Sequence, residues 1–160
     1  MNDLSDRTIS TVKRISASLR PPMLDQFGLL AAIEWHVEEF QEHTGIACTV
    51  SSHMDAIHFD EHTSTALFRI LQEALTNVAR HAEATRVDIH IEGREDVWAL
   101  TIKDNGKGVK DYQIADTKSL GIVGMRERAL AVGGTLNVGS DPGGGTAVTV
   151  TVPKSEPDLG

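Results

Sequence analysis

Glu73-Ala-Leu-Thr-Asn77-Val-Ala-Arg80-His81 closes the longest periodic segment of this 160-residue chain. Upstream of it and within it, Leu67, Ile70, Leu71, Ala74, Leu75 and Val78 recur at helical spacing. That period predicts a helix over residues 60–81 with one wide apolar face. Asp60 is the candidate N-cap, with Thr63 and Ser64 as nearby alternatives. Side chains three and four apart share a helix face, so Glu73, Asn77, Arg80 and His81 can project along one edge. An amide oxygen such as that of Asn77 is a hard ligand that suits Mg2+, a cation that takes few protein ligands and keeps waters and substrate phosphates as the rest. Glu73, one turn earlier, could hold a metal-bound water or accept a proton, and Arg80 or His81 could meet phosphate oxygens. Taken alone, the same four residues also read as an ordinary exposed polar face.

Residues 86–92 alternate strictly, with Val87, Ile89 and Ile91 set against Asp88, His90 and Glu92, which is the pattern of a half-buried strand. Gly93-Arg-Glu-Asp96 is a turn, and residues 97–103 are the antiparallel partner. By period two, Asp104 falls on the same inward face as Leu100 and Ile102. A carboxylate there is costly without a donor, and the exocyclic amine of adenine is one such donor. Gly106 and Gly108 follow in Asp104-Asn-Gly-Lys-Gly108, where the missing side chains let a base and ribose lie against backbone. The competing reading is a plain Asp-Asn-Gly turn. Gly121-Ile-Val-Gly124-Met125-Arg126 sits where a helix begins, and glycines there let the first N–H groups point at an anion. Gly124 inside a helix costs on the order of 1 kcal/mol and wants a reason. Gly143-Gly-Gly145-Thr146 is a hairpin turn or, through Thr146, a further contact to a base.

The rest of the chain fills in a mixed fold. Ile9, Val12, Ile15 and Leu19 form a helical stripe over residues 4–19, which either docks on the domain or pairs with another chain. Leu19-Arg-Pro21-Pro22-Met-Leu24 stops it. A second helix is expected over 29–43, with Leu30, Ile33, Val37 and Phe40 on one face and Gly45 as its stop. Strands are expected over 46–51, 135–140 and 146–152, a helix over 120–132, a mobile loop over 105–119 and a frayed tail over 154–160. The expected architecture is α/β: a two-layer sandwich with helices on one face of a mixed sheet, preceded by an N-terminal helix.

Bulk numbers narrow the function. The chain is 40% hydrophobic and 24% charged, enough for a packed core, and 4% aromatic, so the core is aliphatic. A net charge of −8 argues against general nucleic-acid binding, which needs cations to neutralise phosphates. Cys48 is the only cysteine and reads as a strand residue rather than a nucleophile. No signal peptide or spanning apolar run is visible, so a cytoplasmic chain without membrane contact is expected.

Four segments in this order resemble the GHKL ATPases, the fold of histidine kinases, gyrase-type topoisomerases and MutL-type repair proteins. Glu73-Ala-Leu-Thr-Asn77-Val-Ala-Arg-His81-Ala is similar to the N box. Asp104-Asn-Gly106-Lys-Gly108, Gly121-Ile-Val-Gly124-Met125-Arg126-Glu-Arg128 and Gly143-Gly-Gly145-Thr146 are similar to the three glycine boxes. The wording is most similar to sensor histidine kinases of the NarX/DesK-like class, as is Leu19-Arg-Pro-Pro-Met-Leu24. The resemblance implies ATP and Mg2+ as cofactors. Asn77 would bind Mg2+, and Asp104 would bind adenine. Arg80 would contact phosphate, and His81, Gly106, Gly108, Gly121, Gly124, Met125 and Thr146 would complete the ATP site. It implies that residues 109–120 form a lid and that Glu73 helps deprotonate an acceptor histidine. No His-Asp or His-Glu pair lies in residues 1–35. The chain therefore reads as part of a dimerisation helix and linker (1–24) joined to a catalytic domain (25–153). The acceptor histidine and its phosphatase motif would lie on a separate dimerisation segment, and a response regulator would be an indirect partner. A homodimer through residues 4–19 is a further expectation. The alternatives are a nucleotide-binding regulatory module without phosphoryl transfer and a water-using ATPase.

Overall fold

A computed structural model of the protein describes residues 22–53, 59–108 and 120–154. The helix expected over 4–19, nearly all of the expected lid and residues 155–160 lie outside the described residues. The elements are α1 (Pro22–Thr44), β1 (Ala47–Ser52), α2 (Glu61–Asn77), a π turn (Val78–Ala82), β2 (Arg86–Gly93), β3 (Val97–Asp104), α3 (Leu120–Ala131), β4 (Thr135–Ser140) and β5 (Thr146–Pro153).

The sheet runs in the order β1-β2-β3-β5-β4. β1 and β2 are parallel and every other pair is antiparallel. Parallel neighbours need a crossover, and α2 supplies it. β2 and β3 form a hairpin, closed by the Arg94 N–H donating to the Val97 carbonyl at 2.8 Å. Val87, Ile89 and Ile91 of β2, Leu100 and Ile102 of β3, and Val148, Val150 and Val152 of β5 are all buried on the helix side. The intervening residues Asp88, His90, Thr101 and Thr149 are only half-buried on the other face. This is the expected two-layer arrangement of helices on one face of a mixed sheet.

All six apolar residues predicted for α2 are buried, and Phe68 joins them at 1% exposure. The reason is tertiary. α2 packs against α1 and α3 as well as the sheet, and His36 of α1 meets the Phe68 ring edge-on at 5.6 Å. Burial holds the His36 imidazole below its ordinary pKa. Asp60 caps α2, its carboxylate accepting the Thr63 N–H at 2.7 Å. In α1, Gly28 takes φ 87° and ψ 177°, a conformation open essentially to glycine alone. The break separates residues 22–27 from the longer helical run that begins at Leu29, where the sequence places its start. Gly45, at φ 75°, ends α1 by donating its N–H to the Gln41 carbonyl at 2.9 Å. Cys48 is half-buried on β1, and burial pushes its thiol pKa up, away from nucleophilic use.

Helix α1 begins at Pro22, inside the segment read as a stop, since a proline is tolerated in a helix's first turn, and α2 departs from expectation as well. α2 does not continue to His81 as an α-helix. Its α-helical run ends at Asn77, where the Val78 N–H is shared between the carbonyls of Ala74 and Leu75. Residues 78–82 then form a π turn that leaves through Glu83 in the left-handed region, φ 53°. The wider turn shifts Arg80 and His81 from the positions a 3.6-residue period assigns them. At the other end of the chain, Lys154 is held: its N–H donates to the Asp96 carbonyl at 2.9 Å, and its ammonium lies 4.7 Å from the Trp98 ring centroid.

Candidate functional site

The site is built around the C-terminal end of β3. Asp104 is 5% exposed. Its Oδ1 accepts two backbone N–H groups, from Gly106 at 2.8 Å and from Thr146 at 3.3 Å. The two donors come from different segments, so the carboxylate is fixed by the fold rather than by its own loop. Gly145, at φ 89°, passes so close that a Cβ there would overlap the Asp104 carbonyl. Gly108, at φ 81°, comes next to it, with an added Cβ 3.2 Å from the Gly145 carbonyl. Oδ2 of Asp104 accepts no hydrogen bond from the described residues.

The loop after β3 rests on the exit of the π turn. The Lys107 N–H donates to the Ala82 carbonyl at 2.8 Å, and a Cβ on Gly106 would overlap that same carbonyl. The first glycine segment is thus seated directly on the end of the helix segment that carries Asn77. Asn77 itself is half-buried, and its side chain makes no capping hydrogen bond. Glu73 is half-buried one turn earlier, its carboxylate against Gly121 at the start of α3.

The remaining candidates separate. A Cβ on Gly124 would meet nothing within 4 Å, so packing does not require a glycine there. Met125 is 1% exposed and belongs to the core. His81 is exposed. Arg80 lines a cavity of about 280 Å³ between α1 and α2, together with His36, Phe40 and Leu75. Among the described residues no cluster of three or more His, Cys, Asp or Glu could hold a metal. A cation here would rely on the Asn77 amide, on its own waters and on the phosphates of its substrate, in keeping with the few protein ligands that Mg2+ takes. Asn105, legible in the sequence only as the middle of a turn, makes three side-chain hydrogen bonds, the most of any described residue of the loop.

Residues 62–156 match the family described as "Histidine kinase-, DNA gyrase B-, and HSP90-like ATPase". The chain belongs to that family. Among curated proteins it is 38% identical over 146 residues to the signal transduction histidine-protein kinase/phosphatase DegS of Brevibacillus brevis, covering 91% of this chain and 38% of that protein. It is 34% identical over 150 residues to the oxygen sensor histidine kinase NreB of Staphylococcus carnosus, covering 94% of this chain and 43% of that protein. The chain thus spans about two fifths of the length of these relatives, and its likeness is to the C-terminal part of a sensor histidine kinase. Among solved structures, the ATP-binding domain of PrrB from Mycobacterium tuberculosis superposes with a TM-score of 0.67 at 19% identity, over 78% of this chain and 93% of that one. The Acinetobacter baumannii histidine kinase AdeS gives 0.65 at 18% identity, over 80% and 64%. At such identities these two matches show the fold. Among the described residues no helix is long and apolar enough to cross a membrane.

Proposed function

We propose that the chain binds Mg-ATP as the catalytic domain of a cytoplasmic sensor histidine kinase segment. It donates the γ-phosphate to a histidine on the dimerisation domain, from which a response regulator is then charged. The observation that carries this reading is the Asp104 carboxylate, buried at the end of β3 and pinned through Oδ1 by two backbone N–H groups from different segments. A buried acceptor fixed in this way suits the exocyclic amine of adenine. Thr146, whose N–H meets Asp104 Oδ1, is the further residue assigned to the base. Gly106, Gly108, Gly121 and Gly124 are assigned to the ribose and phosphates; Gly106 and Gly121 give their side-chain space to the Ala82 carbonyl and the Glu73 carboxylate, and a side chain at Gly124 would meet open space. Asn77 is the ligand for Mg2+, which supplies charge neutralisation to the phosphates when bound. Arg80 is the cation assigned to the phosphate end, and His81 a second ring N–H donor there. Glu73 holds or takes the proton of the attacking imidazole. In-line phosphoryl transfer asks the protein mainly for positioning and electrostatics, and these residues offer both.

The test is titration calorimetry of Asp104→Asn with ATP and with inorganic triphosphate. The variant keeps an Oδ1 for the Gly106 and Thr146 donors but can turn an amide donor toward the adenine amine. ATP affinity is expected to fall roughly ten- to hundredfold, as for a lost charge-assisted hydrogen bond, with triphosphate binding unchanged. Equal loss for both ligands would remove the adenine assignment.

A further inference from the structure

Asn105 lies between the proposed base-reading carboxylate and the first glycine, in a position where any polar turn residue would serve. Its side chain does more than close a turn. Oδ1 accepts the Thr85 N–H at 2.9 Å and the Arg86 N–H at 3.0 Å. Nδ2 donates to the Thr85 hydroxyl at 2.9 Å. Its own N–H donates to the Arg86 carbonyl at 3.2 Å. An oxygen facing two N–H donors and a nitrogen facing a hydroxyl fix the amide in one orientation.

The clamp joins two parts of the site that are distant in sequence. Residues 85 and 86 lead out of the π turn that follows Asn77 and into β2. Residue 105 leads out of β3, directly after Asp104. Two further contacts bring the same segments together: the Lys107 N–H on the Ala82 carbonyl, and Gly106 against that carbonyl. Among the described residues only Asn105 does so through a side-chain hydrogen bond. Gly106, the next residue, donates to Asp104 Oδ1. Moving residue 105 therefore moves a donor that holds the carboxylate, and loosens the loop's seat on the segment that carries Asn77.

We infer that Asn105 is a positioning residue of the nucleotide site, fixing the Asp104 carboxylate relative to the Asn77 turn without touching the nucleotide. The inference rests on the reading of the site as an ATP pocket for its functional consequence, but its structural half stands without ligand. Asn105 is exposed, so the clamp can be cut without opening the core.

The test uses the full chain with Asn105→Ala and Asn105→Asp. In the ligand-free proteins, amide hydrogen exchange at Gly106 and Thr146 is compared with that at Ile70 in the core of α2. Asn105→Ala is expected to speed exchange at Gly106 and Thr146 and leave Ile70 unchanged. Asn105→Asp keeps an oxygen for the two N–H donors, and the Thr85 hydroxyl can turn to donate, so it should restore protection. Titration with ATP should show about tenfold weaker binding for Asn105→Ala and near-normal binding for Asn105→Asp. If wild type does not bind ATP while the exchange pattern holds, the proposed function falls and the positioning role stands. Wild-type ATP affinity in Asn105→Ala, or equal acceleration at Ile70, would overturn the positioning role.

Discussion

The Glu73 carboxylate occupies the space that a side chain at Gly121 would need: a Cβ built there overlaps its Oε1. An acid of α2 and the first turn of α3 are therefore fitted to one another through a missing methyl group. Oε1 is the end of a flexible side chain, so Gly121→Ala should displace the carboxylate rather than the helices. Alanine also favours helix over glycine by up to about 1 kcal/mol, so the melting temperature should hold or rise. If Glu73 handles the proton of the acceptor histidine, the variant transfers phosphate to an acceptor-bearing segment about tenfold more slowly, a modest part of what a positioned acid or base supplies. Gly121 is itself placed at the nucleotide, so ATP affinity is measured alongside and the transfer rates are compared at saturating ATP. Labelled ATP and filter binding check both. An unchanged transfer rate would show that the position of this carboxylate is irrelevant.

Asn77 ends the α-helical part of α2 and makes no capping hydrogen bond. Replacing it with alanine should therefore cost the fold nothing, since alanine is the better helix former by up to about 0.7 kcal/mol. Millimolar Mg2+ is expected to strengthen ATP binding to wild type, and Asn77→Ala should abolish that gain while leaving its melting temperature unchanged or higher. Affinity measured by calorimetry with Mg2+ and with EDTA decides it. The same Mg2+-dependent gain in both proteins would remove Asn77 as a ligand.

Much of this arrangement is legible from periodicity because one-sided burial writes itself into the chain. Val87, Ile89 and Ile91 alternate with polar residues because β2 has one face on the helices and one on solvent. Asp104 stands out because it occupies an inward position in the same alternation. What periodicity misses is set by neighbours far along the chain. Phe68 is buried because α1 covers a second side of α2, which no single-helix pattern encodes. The π turn at 78–82 is invisible in Val-Ala-Arg-His-Ala; its exit is tied by the Lys107 N–H and by Asn105, both beyond β3. Met125 reads as part of a glycine box, yet its side chain goes to the core. Asn105 reads as turn chemistry because its partners, Thr85 and Arg86, are brought to it only when β2 and β3 pair.

Two phenylalanines separate burial from composition. Phe68 is 1% exposed between α1 and α2, and Phe27 is 65% exposed before the Gly28 break. Phe68→Ala should destabilise the domain by about 3–5 kcal/mol through lost burial and a residual cavity. Phe27→Ala should stay within about 0.5 kcal/mol of wild type, as surface changes do. Urea denaturation of the two variants measures the difference, and similar midpoints would contradict the packing of α1 on α2.

The Asp60 cap gives stability a pH dependence whose sign is fixed. The Thr63 N–H holds the Asp60 carboxylate below its usual pKa of 3.8, with a smaller contribution from the nearby charge of His62. A carboxylate with a lowered pKa in the folded state stabilises fully above the unfolded value and loses that contribution as pH falls through the folded one. Asp60→Ala should therefore cost about 1 kcal/mol at neutral pH, with the gap from wild type narrowing below the usual 3.8. Asp60→Asn, which caps without titrating, should be nearly as stable as wild type at pH 7 and should lose less than wild type on acidification. Denaturation midpoints of the three proteins, followed from neutral pH to the lowest pH at which the domain still folds, measure this. A wild-type-to-alanine gap that does not narrow in acid would place the capping stabilisation in shape and hydrogen bonding alone rather than in the charge.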